Sequence, residues 1–412
     1  MRMRLTLAVL LLPFAVHAQP AKTDHWVATW GTALNLLKPL PPANPPAQPS
    51  PGSNGFKNQT VRMVARVSLG GTHLRIKVEN AFDSPPLSIG AAHIALRARD
   101  SEIVAGSDRA LTFNGKPGCI LSPGVVRVSD PVELKVAALS DLAVSLYLPG
   151  ETGVPTSHGT GLHTTYISKE GDFTAQPTIA DSTTSLSYYY LAAIDVEAPA
   201  DAAAIVTFGD SITDGTASSP NSNHSWPALL AARLAGKKAT NMIGVANMGI
   251  SGNRVLYDGS GASALARFDR DVLSQSGVKW VMLLEGINDI GRVGETPPNP
   301  QAPTTDDLIA AYRQIIDSAH THGIKVIGCT LTAYEGSARA RDVGEVVREA
   351  VNSFIRTGGA FDGVVDFDAA TRDSANPKKF RASFDPGDHL HPNDTGYQAM
   401  ADSIDLSMFT RR

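Results

Sequence analysis

The chain has 412 residues, 42% of them hydrophobic and 18% charged, with a formal net charge of −4. That balance is ordinary for a soluble globular protein long enough for two domains, and it offers no basic surface to argue for nucleic acid as a partner. Two cysteines, Cys119 and Cys329, are too few for a disulfide-stapled scaffold; they lie in different candidate domains and read as two buried free thiols, with a single bridge in an oxidising compartment as the alternative.

In chain order, the N-terminus "MRMRLTLAVLLLPFAVHAQP" joins two arginines to an apolar run, with small residues at Val16 and Ala18. This is the pattern of a secretory signal peptide over residues 1–18, cleaved after Ala18, so a secreted or periplasmic protein is expected. The run is too short to span a bilayer and no later segment is long enough, so no stable membrane insertion is expected. "HWVATWGTA" reads as a strand. Residues 38–55, "KPLPPANPPAQPSPGSNG", are too rich in proline for a helix or a central strand and read as an extended loop. From Thr60 to Val196 the apolar runs are short and punctuated by Gly, Pro, Asn and Asp, as in "VRMVARVSL", "HLRIKVENAF" and "LAVSLYLPG". That spacing predicts a β-sandwich, jelly-roll-like, as the N-terminal domain over residues 19–198.

The pattern changes after "EAPADAA". Strands such as "AIVTFGD", "GVANMGI", "VKWVMLLEG", "IKVIGCTLT" and "DGVVDFD" now alternate with helical stretches, which predicts an α/β domain with a parallel sheet over residues 199–412. In "TTDDLIAAYRQIIDSAHTHG" the residues Leu308, Tyr312, Ile315, Ile316 and Ala319 form one apolar stripe, with Thr305 as the expected cap and Gly323 as the stop. Trp226 reads as a packing anchor for the first helix.

Four short stretches carry candidate chemistry. "IVTFGDSITDG" ends a buried strand on Ser211, where α/β folds bind their ligands. Ser211 is a candidate nucleophile or an ordinary helix cap, and Asp210 and Asp214 beside it suit hydrogen-bonding and capping. In "ANMGISGNR" Gly252 could bring its backbone N–H to an oxyanion, and in "LLEGINDIG" Asn288 could aim its amide there; each loop also reads as a plain turn. Glu285 reads as structural. In "FDPGDHLHPNDTGYQAMADSI" Asp388 precedes His391 by three residues, just before a helix capped by Asn393 or Asp394. His389 and Asp385 are the competing histidine and acid. A serine needs such a base and carboxylate before it attacks. His158 and His163 have no carboxylate or cysteine clustered with them and are read as non-ligands, so no metal and no cofactor is expected.

"GDSITDG", "NMGISGN", "GINDIG" and "DHLHP", in that order, resemble the four blocks of the SGNH hydrolases, the GDSL esterase/lipase superfamily. The resemblance covers the second half of the chain. It implies a flavodoxin-like three-layer α/β/α fold, with Ser211 as nucleophile and Gly252 and Asn288 completing the oxyanion hole beside the Ser211 N–H. It implies His391 as general base and Asp388 as its partner. Ile212 stands where many members carry leucine, a conservative change. The leader, the β-rich half and "WVATWGTA" are also similar to secreted bacterial esterases grouped with xylan-degrading and aryl esterases. A secreted serine esterase acting on short acyl groups, acetyl above all, of a small-molecule or plant polysaccharide ester is therefore expected. A lipase or lysophospholipase of the same superfamily, and a non-catalytic carbohydrate-binding protein, are the competing readings. A binder has no use for Asp388 behind His391.

Overall fold

The computed structural model describes residues 25–36, 50–81 and 84–410. The expected signal peptide and residues 38–49 of the proline-rich loop lie outside the described residues.

The N-terminal half is built on antiparallel sheets. One sheet runs β1 (Trp26–Gly31), β7 (Leu191–Glu197), β3 (Gly71–Asn80), with Val125–Val128 and Val132–Val136 also paired to β3. The other places β2 (Gln59–Arg66), β5 (Asp141–Leu148) and β4 (Ala91–Arg99) at its centre, with β6 (Thr165–Glu170) outside β2. Strand β5 pairs along its whole length, from Asp141 opposite Arg66 to Leu148 opposite Gln59. Leu142, Val144, Leu146 and Leu148 alternate onto one face and are fully buried. The other face is also covered. There Ser145 accepts from buried Arg62 Nε at 2.8 Å, and the same guanidinium donates to the carbonyls of Ser101 (2.7 Å) and Gln176 (2.8 Å). Burial pushes that arginine down to about 10, and full hydrogen bonding is what makes a buried cation tolerable.

The C-terminal half is a parallel sheet. Its strands are β8 (Ala203–Gly209), β9 (Ile243–Gly249), β10 (Val278–Leu284), β11 (Lys325–Cys329) and β12 (Gly363–Val365), in the order β9-β8-β10-β11-β12. Within this half the order is 2-1-3-4-5, the flavodoxin-like arrangement, and its switch point falls at β8. The helices flank the sheet in two groups. Helix α2 (Trp226–Ala235) packs with α6 (Asp394–Asp402), while α4 (Thr305–Thr321) packs with α5 (Asp342–Thr357). Trp226 is fully buried against Phe367, as an anchor should be. The expected α4 stripe is buried, but its cap is Thr304. Thr304 accepts from the Asp307 N–H and Asp307 accepts from the Thr304 N–H, a reciprocal box that needs an acid three residues on.

The halves share one core. Strand β1 lies against β9 so closely that a side chain at Gly244 would stand 2.3 Å from the Ala28 carbonyl oxygen. Ser68 Oγ bridges the seam, donating to Thr29 O (2.6 Å) and accepting from Val245 N (2.8 Å). Cys119 and Cys329 are free, the second buried in β11. Among the described residues no helix is long and apolar enough to cross a membrane.

Candidate active site

Strand β8 ends at Gly209, and Ser211 is the first residue of the short helix α1 (Ser211–Asp214). Asp210 caps that helix, its Oδ1 accepting from the Ile212 N–H at 3.0 Å. The cap is therefore Asp210 and not Ser211, whose hydroxyl is left without a capping role. That hydroxyl lies 2.8 Å from His391 Nε2. His391 Nδ1 lies 2.6 Å from Asp388 Oδ2, and Asp388 Oδ1 accepts from the N–H groups of Leu390 and His391, both at 3.0 Å. Burial acts to raise the Asp388 carboxyl, but the hydrogen bonds from His391 and Leu390 outweigh it and hold it below the ordinary carboxylate range. The line Ser211–His391–Asp388 can pass a proton from hydroxyl to imidazole and stabilise the resulting imidazolium.

Two ties fix the histidine loop to the serine loop. Asp394, at the start of α6, accepts from Ser219 N (2.8 Å), Ser219 Oγ (2.6 Å) and His224 Nδ1 (2.8 Å). Tyr397 OH donates to the Thr216 carbonyl at 2.7 Å. The cap of α6 is Asn393, whose side chain accepts from Gly396 N. His389 instead pairs with Asp385 through Nδ1, half-exposed, and it is not the histidine on Ser211.

The other two candidate residues stand beyond the carboxyl ends of the flanking strands. Gly252 follows β9 with φ +78°, a left-handed conformation that other residues adopt only under strain. Asn288 lies on α3 (Ile287–Ile290), after β10. Its amide is held at both ends: Nδ2 donates to Asn253 O at 2.9 Å, and Oδ1 accepts from Arg339 Nη1 at 2.7 Å. The second N–H of Nδ2 is left for another acceptor. Asp289 joins the two loops, accepting from Val255 N (2.8 Å) and Leu256 N (3.2 Å).

Beneath these loops lies Arg267, which the sequence reading did not single out. Its guanidinium donates to Gly209 O (2.9 Å), Met248 O (2.7 Å) and Asn253 Oδ1 (2.9 Å), so one cation holds the ends of β8 and β9 and the residue after Gly252. Its carboxylate neighbours are Asp271 at 3.0 Å and Glu285 at 3.5 Å. Burial raises Glu285 well above its ordinary value and lifts Asp210 to about 7 and Asp289 to about 6. An arginine in the apolar run Ala264, Leu265, Phe268, Val272 was the available signal: a charge on a buried helical face must be paired.

His163 Nε2 meets Asn223 Oδ1 at 2.9 Å, and His158 binds Asp214. His158 ends the strand Thr156–His158, His163 lies outside any strand, and both side chains are buried. Among the described residues no group of three or more His, Cys, Asp or Glu side chains is placed to hold a metal ion.

The chain matches a family model over residues 205–404, described as GDSL-like lipase/acylhydrolase. No curated protein matches it. Similar solved structures include an acetyl xylan esterase, AlAXEase, with 23% identity over 48% of this chain and 96% of that one, TM-score 0.38. A variant of Axe2, an acetyl xylan esterase from Geobacillus stearothermophilus, is 23% identical over 50% of this chain and 94% of that one, TM-score 0.39. A GDSL-like lipase from Bacteroides thetaiotaomicron is 21% identical over 50% and 87%, TM-score 0.36. The family match runs from inside β8 past the end of α6 and so takes in every strand end that carries a candidate residue. Residues 205–404 thus carry a GDSL-like lipase/acylhydrolase domain, matching the SGNH superfamily, and the chain is a carboxylic ester hydrolase.

Proposed function

We propose that the protein hydrolyses esters through an acyl-enzyme on Ser211, with His391 as general base and acid and Asp388 as its orienting partner. The observation that carries this reading is the unbroken hydrogen-bonded line Ser211 Oγ–His391 Nε2 (2.8 Å) and His391 Nδ1–Asp388 Oδ2 (2.6 Å). The Ser211 proton passes to His391 as Oγ attacks the ester carbonyl. The carbonyl oxygen becomes an oxyanion, held by the N–H groups of Ser211 and Gly252 and the free N–H of Asn288. His391 returns the proton to the leaving alcohol, and a water activated by the same imidazole then releases the acid.

Short acyl groups are the proposed substrates, acetyl on a small ester or on plant polysaccharide, met outside the cell after cleavage near Ala18. Loops 254–263 and 292–304 follow Gly252 and Asn288; the first is rich in glycine and serine, the second in proline, and neither holds a long hydrophobic segment. Such loops suit a small acyl group and a hydrated leaving alcohol better than a long aliphatic chain. The test is turnover of p-nitrophenyl acetate by the purified protein with Ser211→Ala as control, then a series of acyl lengths and acetylated polysaccharides. Normal turnover by Ser211→Ala overturns the nucleophile. Preference for long-chain esters over acetate overturns the substrate class.

A further inference from the structure

We infer that the β-rich half forms part of the catalytic machinery: His158, protonated on both ring nitrogens, clamps Asp214 and thereby positions the two loops that carry Ser211 and Gly252. This rests on the oxyanion roles proposed above for those two residues.

His158 ends the strand Thr156–His158, which pairs with Tyr188–Tyr189 and with Asn35–Leu36 and belongs wholly to the N-terminal half. Its side chain is 6% exposed. Nδ1 lies 2.9 Å from the Ala33 carbonyl oxygen and Nε2 lies 2.8 Å from Asp214 Oδ1. A carbonyl oxygen only accepts, and the facing carboxylate is already an acceptor from Ser251. Against a carboxylate, both ring nitrogens donate and the ring is the imidazolium. Burial works against that charge, but Asp214 and the carbonyls of Ala33 and Thr160 outweigh it, so protonation is favoured.

Asp214 is the last residue of α1, the helix that begins at Ser211, and its N–H returns to the Asp210 carbonyl at 2.8 Å. Oδ2, its second oxygen, accepts from Ser251 N (2.9 Å) and Ser251 Oγ (2.7 Å). Ser251 immediately precedes Gly252. The Ser251 hydroxyl also meets Thr216 Oγ1 (2.9 Å) and Thr160 Oγ1 (3.1 Å), so a second residue of the β-rich half touches the same turn. One carboxylate thus locks α1 to the Gly252 turn, and a cation from the other half of the chain locks the carboxylate. Truncating His158 leaves a buried anion with half its partners, free to rotate and take both loops with it.

Misplacing reacting groups by about 1 Å costs on the order of 10²-fold in rate. In the full chain, His158→Ala is expected to lower kcat on p-nitrophenyl acetate by about 10–100-fold with KM changed by less than about threefold. His158→Gln, whose amide nitrogen can stand where Nε2 stands, is expected to recover part of that loss by restoring the donor to Asp214 without the charge. If His158→Ala does not fold, Ser251→Ala carries the test. It keeps the backbone bond and loses the hydroxyl bond, so a smaller kcat loss at unchanged KM is expected. A clamp that only stabilises the fold lowers the melting temperature of these variants and leaves kcat of the folded protein unchanged, and that result overturns the inference. Ser211→Ala is run alongside: if it keeps turnover, the underlying site reading has failed, whereas a dead Ser211→Ala with fully active His158 and Ser251 variants removes the clamp alone.

Discussion

The turn that ends at Pro392 holds two histidines, each joined through Nδ1 to an aspartate three or four residues before it. Asp385–His389 and Asp388–His391 use the same local device, a carboxylate that accepts both from backbone N–H groups and from an imidazole. Their surroundings differ. The His391 ring is 14% exposed and ends on Ser211, whereas the His389 ring is 50% exposed and its backbone takes a left-handed φ of +58°. The pair itself is therefore no mark of catalysis. What separates the two is the register of the turn, which lets only the second imidazole reach the end of β8.

The sharpest way to break this comparison is to remove the two rings in turn. Ser211→Ala and His391→Ala should each lower kcat by about 10⁴-fold or more, with circular dichroism unchanged. His389→Ala should stay within about twofold of the parent, as surface substitutions away from reacting groups generally do. A dead His389→Ala beside an active His391→Ala would reverse the assignment. The carboxylates should repeat the contrast at smaller scale. Asp388→Asn should cost up to about 10⁴-fold in kcat, because an amide behind the imidazole favours the wrong tautomer. Asp385→Asn should leave kcat nearly unchanged; equal losses in the two would show that the turn, and not the pairing, is being damaged.

Much of this site was legible because its parts are local. Asp388 and His391 are three residues apart, Asp210 and Ser211 adjoin, and the first three blocks sit at strand ends that hydrophobic patterning had already marked. The buried stripe of α4 was readable for the same reason, and the shift of its cap from Thr305 to Thr304 followed from an acid at the correct spacing. The support was less legible. His158 lies 56 residues from Asp214 and Arg339 lies 51 residues from Asn288. No periodicity reports such contacts. Only folding brings a strand of one half under a helix of the other.

Asn288 gives the next effect in size. Its amide is held by Asn253 and Arg339, so it should act as a fixed dipole aimed at charge that develops in the transition state. Asn288→Ala should then lower kcat by about 10²–10³-fold with little change in KM. A rise in KM at constant kcat would make Asn288 a ground-state binding group and leave the oxyanion to the two backbone donors.

The smallest effect concerns the carboxyls on either side of Ser211, which carry the comparison of the two turns inward. Asp388, on the outer side, is held below the ordinary range by its hydrogen bonds. Asp210, on the inner side, is fully buried near Asp289 and Glu285, and burial lifts it to about 7. In the unfolded chain an aspartate releases its proton near about 3.9. Between about pH 4 and about pH 7 the folded protein therefore keeps a proton that the unfolded chain has lost, and stability falls as pH rises through that window. Asn at position 210 can still accept from the Ile212 N–H but does not titrate. The melting temperature of Asp210→Asn, measured against the parent at several pH values across the window, should therefore improve relative to the parent as pH rises. Part of the parent's decline will persist in the variant, because Glu285 stays buried and raised beside it. A difference that stays flat from about pH 4 to about pH 7 would mean that Asp210 is ionised throughout, with Arg267 supplying enough positive charge to offset its burial.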